Sequence, residues 1–330
     1  MPEGPPLAIL YVQQDIKEKQ EENKMKRILM AAVLAGMAGG AYAADFSDLA
    51  ATAVTLKALV AADGVGLIPE VPKGYVAGND PSAGAPTKPV EWITINGGKF
   101  MMGTDSGEKV FKDAKPIHEV AIKTFDMSKT DVTVEQYAEC VIKGGCTEPD
   151  TGDYCNWGVA GRQLYPVNCV DWNQANQYAR FKGGRLPSES EWEYAATSGG
   201  KNQKYPWGNE DATCNRAVMY GNGGCGCGAN STMPVCSKPA GNTRIEGLPA
   251  DKQLCDMAGN VWQWVQDNYQ DSYKSAPADG SAFEDEDSYG DRMLRGGAFN
   301  VDVASRLRAE YRNYNAPSYR YGSVGFRIAR

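Results

Sequence analysis

The sequence predicts an irregular α+β fold with few short helices, short strands and much loop. Glycine is abundant, with 37 of 330 residues, and clusters of Gly and Pro favour turns over long regular elements. Helix-periodic stretches are few, and short alternating runs lie between them. Hydrophobic residues make up 42% and charged residues 23%, as in ordinary soluble proteins. The net charge of −7 disfavours nucleic acid as a partner.

Three segments carry the signals of a helix start. Thr133 with Gln136, and Ser188 with Glu191, match the capping box, in which a side chain at each position caps the backbone N–H of the other. Asp171 is suited to cap the segment WNQANQYARFK, which ends at a Gly-Gly pair. We therefore predict three short helices that begin directly after these caps.

Short alternating runs predict strands between and after the helices. Glu91–Ile95 and Glu119–Phe125 alternate apolar and polar residues. Trp262 and Trp264 alternate in the same way. The last run, Val324–Ile328, places apolar residues at every second position, so the chain is expected to end on a half-buried strand.

Residues 25–43 read MKRILMAAVLAGMAGGAYA and predict a signal peptide cleaved before Ala44. A positive start, a short apolar run and an A-x-A-like site support this interpretation. The run is too short and too rich in Gly and Ala for a good membrane span, so no stable span is expected after cleavage. Residues 1–24 are interpreted as a mis-called start or as a leader that keeps the segment as an anchor.

Two segments follow the predicted signal peptide. Residues 44–88 are predicted to form a short helix and a flexible linker rich in Gly, Pro and Ala. The folded domain is expected to cover residues 89–330. The mature protein is then expected in the periplasm or outside the cell.

Nine cysteines agree with export, since disulfides persist in oxidising compartments. They are Cys140, Cys146, Cys155, Cys169, Cys214, Cys225, Cys227, Cys236 and Cys255. We expect most of them to pair, with one left over because the number is odd. Two alternatives stay open: a zinc site formed by the four cysteines 214, 225, 227 and 236, and a redox-active Cys225/Cys227 pair.

Seven motifs, in order, carry a resemblance to a known family. They are GGKFMMGTDSGE (97–108), KTDVTVEQYAEC (129–140), YPVNCVDWNQANQYARFKGGRLPSESEWEYAA (165–196), YPWGNE (205–210), LCDMAGNVWQWVQD (254–267), LRGGAFN (294–300) and VGFRIAR (324–330). The chain resembles the formylglycine-generating-enzyme, or sulfatase-modifying-factor, family. The resemblance implies an irregular α+β fold related to C-type lectin-like domains.

The family's catalytic residues have no counterparts here. The resemblance implies two cysteines after an RGGS motif, which bind one copper ion through soft thiolates. In this chain the segment 295–330 has no Cys, Val301 stands at the first position, and Ser305 or a neighbour stands near the second. A second branch uses iron held by three His, and His118 is the only histidine. We therefore expect no copper, and we assign no catalytic residue.

The resemblance also implies a structural calcium site. Carried over residue by residue, Asp256 and Gln263 would give side-chain oxygens, and Gly259 and Val261 would give carbonyls. Hard oxygen ligands suit calcium. The family's usual Glu is Gln263 here, which removes one negative charge. The alternative is that Asp256 and Gln263 hydrogen-bond the turn between them.

The last forty residues resemble the variable region of proteins that are diversified by retroelements, where this fold displays a ligand-binding surface. Tyr supplies rigid contact area, and Asn and Ser supply adaptable hydrogen bonds. The candidate ligand-binding residues are Asn300, Val301, Asp302, Asn313, Tyr314, Asn315, Ser318, Tyr319, Tyr321 and Ser323. The same region contains eight Arg, which form either internal ion pairs or a basic surface.

These observations favour an exported, non-catalytic module that binds a protein or glycan ligand at a cell surface or in the periplasm. Its C-terminal Arg-, Tyr- and Asn-rich segment is the predicted contact region, with or without retroelement diversification. The alternative is an enzyme of the formylglycine-generating type that matures sulfatases, or a related copper- or thiol-dependent enzyme.

Overall fold

A computed structural model describes residues 88–284 and 290–330. The predicted leader, the signal peptide and nearly all of the 44–88 segment lie outside these residues. Among the described residues no helix is long and apolar enough to cross a membrane.

Eight short strands in the described residues form three small sheets. They are β1 (Trp92–Ile95), β2 (Gly98–Met102), β3 (His118–Ile122), β4 (Phe125–Ser128), β5 (Trp262–Asn268), β6 (Arg292–Arg295), β7 (Arg312–Asn315) and β8 (Val324–Phe326). β1 pairs with β4 and β2 pairs with β3, both antiparallel. The third sheet has the order β7-β6-β5-β8, in which only β8 runs parallel to its neighbour. The C-terminal third of the chain therefore builds the largest sheet.

Two strand predictions differ from the structure. The run Glu119–Phe125 is divided between β3 and β4, which belong to different sheets. The alternation stops at Lys123 and Thr124, two adjacent polar residues between Ile122 and Phe125, so the division coincides with a break in the period of two residues. The last strand is buried on both faces instead of half-buried. A Cβ added at Gly325 would lie 2.7 Å from the Val167 carbonyl oxygen, because the 166–170 segment covers the second face.

Three helices begin where the sequence predicts. They are α1 (Val134–Ile142), α2 (Trp172–Phe181) and α3 (Glu189–Ala196), and each has a complete capping box. In the box of α3, the Ser188 hydroxyl accepts from the Glu191 N–H at 3.1 Å. All eight residues of α3 are buried, including Glu189 and Glu193. Buried carboxylates need hydrogen-bond donors or cations beside them. The residues that supply these groups around α3 position the site described below.

The core has two halves, separated by the largest sheet. Trp264 and Phe326 belong to one apolar cluster. Val265 and Met293 belong to the other, together with Trp192 of α3. Adjacent residues of β5 thus point into different halves, as side chains on a strand must. This sheet, and not the helices, is the centre of the domain.

Four disulfides tie the loops on one side of the fold. They are Cys140–Cys146, Cys155–Cys169, Cys214–Cys227 and Cys236–Cys255. Cys225 is the cysteine left over, which confirms the expectation of pairing with one free thiol. The zinc alternative and the Cys225/Cys227 redox pair are wrong, because Cys227 is bonded to Cys214. Four disulfides fit an exported protein.

The pairing predicts a single reactive thiol. Alkylation of the unfolded, unreduced protein should label Cys225 alone, because the other eight sulfurs are in disulfides. Peptide mass spectrometry locates the label, and reduction before alkylation should expose all nine positions. A Cys225→Ser variant should take up no label before reduction. Label on Cys214 or Cys227 in the unreduced protein would contradict the pairing.

Candidate binding surface

The C-terminal segment rests on buried arginines. Arg295, Arg312 and Arg327 are exposed by 0%, 4% and 0%. The Arg312 guanidinium donates from Nε and Nη2 to the two carboxylate oxygens of Glu189, at 2.7 and 3.0 Å. Arg295 donates to the Glu193 carboxylate. Both acceptors belong to α3, so the central sheet and α3 are joined by buried, charge-assisted hydrogen bonds.

Seven of the eight arginines between 292 and 330 lie within 4 Å of a carboxylate. The pairs are Arg292–Glu284, Arg295–Glu193, Arg308–Glu310, Arg312–Glu189, Arg320–Asp171, Arg327–Asp131 and Arg330–Asp126. The interpretation of these residues as internal ion pairs is therefore confirmed. Their charge is largely neutralised, and Arg306, Arg320 and Arg330 share the exposed surface with the Tyr, Asn and Ser residues.

Buried carboxylates outnumber guanidiniums beneath the surface. Glu189, Glu193 and Asp267 are 4%, 2% and 4% exposed, and in the described part of the chain Arg295 and Arg312 are the cations within 4 Å of Glu189 and Glu193. Burial raises the pKa of Glu193 to about 7, against the opposing effect of Arg295. Burial, together with the charge of Glu189, raises the pKa of Asp267 to about 8. Burial also acts to raise the pKa of Glu189, but the two guanidiniums hold it below its usual value. The cluster therefore retains a proton near neutral pH.

The predicted ligand-binding residues differ in exposure. Asn300, Asp302, Tyr314, Ser318 and Tyr321 are exposed, and Asn313, Asn315 and Tyr319 are half-buried. Val301 and Ser323 are buried at 5% and 6% exposure, so neither faces a ligand. Val301 packs in the apolar core, as its side chain dictates, and the Ser323 carbonyl accepts from the Trp262 N–H at 2.8 Å.

One part of the predicted surface, the loop group, consists of Asn300, Asp302, Tyr319 and Tyr321 with Tyr154 and Tyr220. The Tyr319 and Tyr321 rings stack with centroids 5.9 Å apart. The Tyr154 ring lies 6.0 Å from the Phe299 ring, and the Tyr220 N–H donates to the Val301 carbonyl at 3.0 Å. Tyr154 and Tyr220 are 51% and 45% exposed. The sequence does not predict either residue at this surface, because both lie on loops that the Cys155–Cys169 and Cys214–Cys227 disulfides hold.

The other part, the edge group, consists of Asn313, Tyr314 and Asn315 on β7. The Tyr314 ring stacks on the Tyr269 ring with centroids 3.8 Å apart. β7 and β8 are opposite edges of the sheet, three strand spacings or about 14 Å apart. Tyr314 therefore lies on the edge strand opposite β8, the strand that Tyr319 and Tyr321 precede in the chain.

The family's catalytic positions hold no thiol in this chain. Val301 is in the core, and Ser305 lies in a single helical turn, Ala304–Leu307. The free Cys225 is in a neighbouring loop, where the Gly226 N–H donates to the Phe299 carbonyl at 2.7 Å. His118 faces the Pro116 carbonyl and the Tyr273 ring. No group of three or more His, Cys, Asp and Glu in the described chain is arranged to hold a metal ion.

The four residues predicted to bind calcium lie at one tight turn. Gly259 and Asn260 have positive φ values of 85° and 66°, which bring the start of β5 back towards Asp256. The Gln263 Oε1 accepts from Trp192 Nε1 at 2.7 Å and from Arg327 Nε at 2.8 Å. Its Nε2 donates to the Asp256 carbonyl at 2.7 Å. Gln263 thus presents a donor where calcium needs an oxygen, so these residues, as arranged, do not fit the ion.

Comparison with known proteins identifies the class of fold. The sequence model of the sulfatase-modifying factor enzyme 1-like domain matches residues 79–330. The formylglycine-generating enzyme of Streptomyces coelicolor is 29% identical over 297 residues, covering 72% of this chain and 88% of that protein. The inactive C-alpha-formylglycine-generating enzyme 2 of Bos taurus is also 29% identical, covering 73% and 88%.

Solved structures agree with these relatives. PvdO from Pseudomonas aeruginosa is 30% identical, with a TM-score of 0.60, and the match covers 73% of this chain and 94% of that one. Variable protein 1 of Treponema denticola is 21% identical with a TM-score of 0.51, covering 72% and 94%, a likeness of fold. The predicted fold class and family resemblance are confirmed. The chain belongs to the sulfatase-modifying factor enzyme 1-like family.

The arrangement around Gln263 predicts that calcium affects the chain little and that Gln263→Glu creates a dependence on it. The new carboxylate oxygen would face the Asp256 carbonyl without a donor, and a divalent cation between them would relieve the repulsion. Melting curves in EDTA and in calcium chloride should coincide for the original chain. The variant should melt lower in EDTA and recover in calcium, with magnesium as control. A rise of several degrees on adding calcium to the original chain would show that the four residues bind the ion after all.

The buried acid cluster predicts that stability falls as pH rises. The pKa values of Asp267 and Glu193 in the folded protein, about 8 and about 7, exceed unfolded values of about 4. The folded state then holds more protons across this window, so the free energy of unfolding decreases as pH rises through it. Melting temperatures should be lower at about pH 8.5 than at about pH 6. Asp267→Asn should flatten this dependence, and a melting temperature that rises with pH would contradict it.

Proposed function

We propose that this chain is an exported, non-catalytic binding module whose ligand contacts the exposed residues of the C-terminal segment. The observation that carries the proposal is the position of Val301. Where the family enzymes place a catalytic cysteine, this chain has an apolar side chain packed in the core. Neighbouring Asn300 and Asp302 are exposed, so the segment offers contact groups in place of metal ligands.

The exposed tyrosines support the same proposal. Tyr314 and Tyr321 are 43% and 50% exposed, although tyrosine usually buries most of its ring. Each ring stacks on another tyrosine, which restricts its motion before a ligand arrives. Side chains held in this way lose little conformational entropy on binding, and such aromatic anchors commonly dominate the energetics of an interface.

The loop group is also held in place by covalent and charged links. The Cys169 N–H donates to the Tyr321 carbonyl at 3.2 Å, and Cys169 is in a disulfide with Cys155. The Arg320 guanidinium binds the Asp171 carboxylate at 2.7 and 3.0 Å, which fixes the residue between Tyr319 and Tyr321. A preorganised surface of this kind favours recognition of a protein or a glycan at a cell surface or in the periplasm.

Family membership by itself does not decide between binding and catalysis. The relatives include a protein named as a formylglycine-generating enzyme and one named as inactive. The alternative function is therefore oxidation of a sulfatase cysteine to formylglycine. It would need a copper site built without the two thiolates of the C-terminal segment.

The proposal predicts that Tyr314→Ala/Tyr319→Ala/Tyr321→Ala loses binding to whichever surface glycan or protein the original chain selects on arrays. The loss should reach about 30-fold or more, because truncating a hot-spot tyrosine typically costs about 2 kcal/mol. Dissociation constants from surface plasmon resonance measure it. A matched control removes Met101 and Ile142, which are 53% and 74% exposed on other elements.

Two results would overturn the proposal. One is a bound partner whose affinity is the same for the triple variant and for the control. The other is formylglycine in a CxPxR sulfatase peptide after incubation with the protein and copper, detected by mass spectrometry. The second result would establish the enzymatic alternative.

A further inference from the structure

A second candidate site lies at the opposite end of β5 from the turn between Asp256 and Gln263. A cavity of about 210 Å³ opens between the first residues of α3, the end of β5 and the loop that follows it. A single ordered water needs only about 10–15 Å³, so this cavity has room for a small molecule. Among the lining residues, only Arg312 belongs to the C-terminal segment, so the site does not depend on the proposed function.

The floor of the cavity is rigid and polar. Glu189, Asp267 and Arg312 line it, and each is at most 4% exposed. The Asp267 carboxylate accepts from the Glu189 N–H at 2.6 Å and from the Phe283 N–H at 2.8 Å. The Tyr273 hydroxyl donates to Glu189 at 3.1 Å. These bonds fix the floor before any ligand arrives, as precise recognition requires.

The rim of the cavity carries polar groups that are available for a ligand. The side chains of Gln270, Ser272 and Ser275 line it, and no hydrogen bond joins them to any residue in the described ranges. An amide and two hydroxyls supply both donors and acceptors. Unlike the floor, therefore, the rim has hydrogen-bonding capacity that the protein does not use itself.

The walls of the cavity are apolar. Met102 and the Tyr273 ring are 3% and 4% exposed, and Pro277 and Phe283 complete the walls. Concave surfaces that combine apolar walls with a few convergent polar groups are the usual form of a small-molecule site. An entirely apolar ligand would leave the polar rim and floor without partners at a cost in free energy.

The charges of the cavity exclude ionic ligands. Three acids, Glu189, Asp267 and Asp271, and two cations, Lys274 and Arg312, line it. An anion such as phosphate would find the Arg312 guanidinium already paired with Glu189 and would lie near the Asp271 carboxylate, so it is disfavoured. A cationic amine would find the buried acids already occupied, Glu189 by Arg312 and Asp267 by two backbone N–H groups. A neutral ligand rich in hydroxyls avoids both costs.

We infer that this cavity binds a neutral sugar residue. Sugar hydroxyls both donate and accept, which matches the amide and hydroxyls of the rim. The C–H face of a pyranose ring packs against Pro277 and Phe283, the half-buried members of the apolar walls. The size of the cavity suits one ring, so the ligand is a monosaccharide or the end of a glycan chain.

The experiment titrates the full chain with methyl glycosides of glucose, galactose, mannose and N-acetylglucosamine, using saturation-transfer NMR and calorimetry. At least one glycoside should bind saturably. Gln270→Ala should weaken it about tenfold, as expected for one lost ligand hydrogen bond, and Ser275→Trp should abolish it by filling the entrance. Ile142→Ala, which truncates an exposed side chain of α1, should bind the glycoside unchanged.

Inorganic phosphate and putrescine serve as anionic and cationic probes. The inference is overturned if no glycoside binds the original chain, if both cavity variants bind like the original, or if phosphate or putrescine binds and the glycosides do not. Melting curves identify a variant that fails to fold, and the second cavity variant then decides. Because Gln270 and Ser275 belong to neither the loop group nor the edge group, failure of this site and failure of the proposed function give different results.

Discussion

The structure depends on the buried ion pairs that join α3 to the central sheet. Removing two charges from water costs several kcal/mol for each ion, and close geometry with additional hydrogen bonds offsets this cost. Here Arg312 grips both oxygens of Glu189, and Arg295 adds the Tyr311 and Ala309 carbonyls, at 2.7 and 2.8 Å, to its pair with Glu193. The helix, the sheet and the segment between β6 and β7 are fixed together by this arrangement.

Because of these buried ion pairs, the C-terminal segment contains two kinds of residue, those that support the fold and those that face the solvent. Arg295, Arg312 and Arg327 are buried and hold the interior together, whereas Tyr314, Tyr321 and Asn300 of the same segment are exposed. Disulfides fix the loops that carry Tyr154 and Tyr220 beside this segment. Buried ion pairs and disulfides cross-link α3, the central sheet and the adjoining loops into a rigid scaffold. Substitutions at the exposed residues are therefore expected to leave the scaffold intact. A rigid scaffold with separate exposed residues suits the proposed binding module. The cavity beside Asp267 is built on the same helix and sheet, at the far end of β5.

The local elements were the most predictable part of the fold. Capping chemistry located all three helix starts, because the N-cap bonds lie within four residues of sequence. Strands were harder, since the single run predicted across Lys123 and Thr124 forms two strands that belong to different sheets. At the candidate site, Asn300 and Tyr321 are exposed as predicted, whereas Val301 and Ser323 are buried. Long-range packing decides which side of an irregular segment faces water. Such a segment has no repeating pattern of apolar residues from which its exposed side could be predicted.

The sequence by itself determined the family, the helix caps and the absence of thiols after residue 255, because motifs and composition are local properties. Tertiary structure decided which cysteines pair and which arginines are neutralised. It also decided that Gln263 turns its amide nitrogen, and not its oxygen, towards Asp256. These outcomes depend on partners up to about two hundred residues away, as for Arg327 with Ser128. Only the folded chain, which brings such partners within hydrogen-bonding distance, could reveal them.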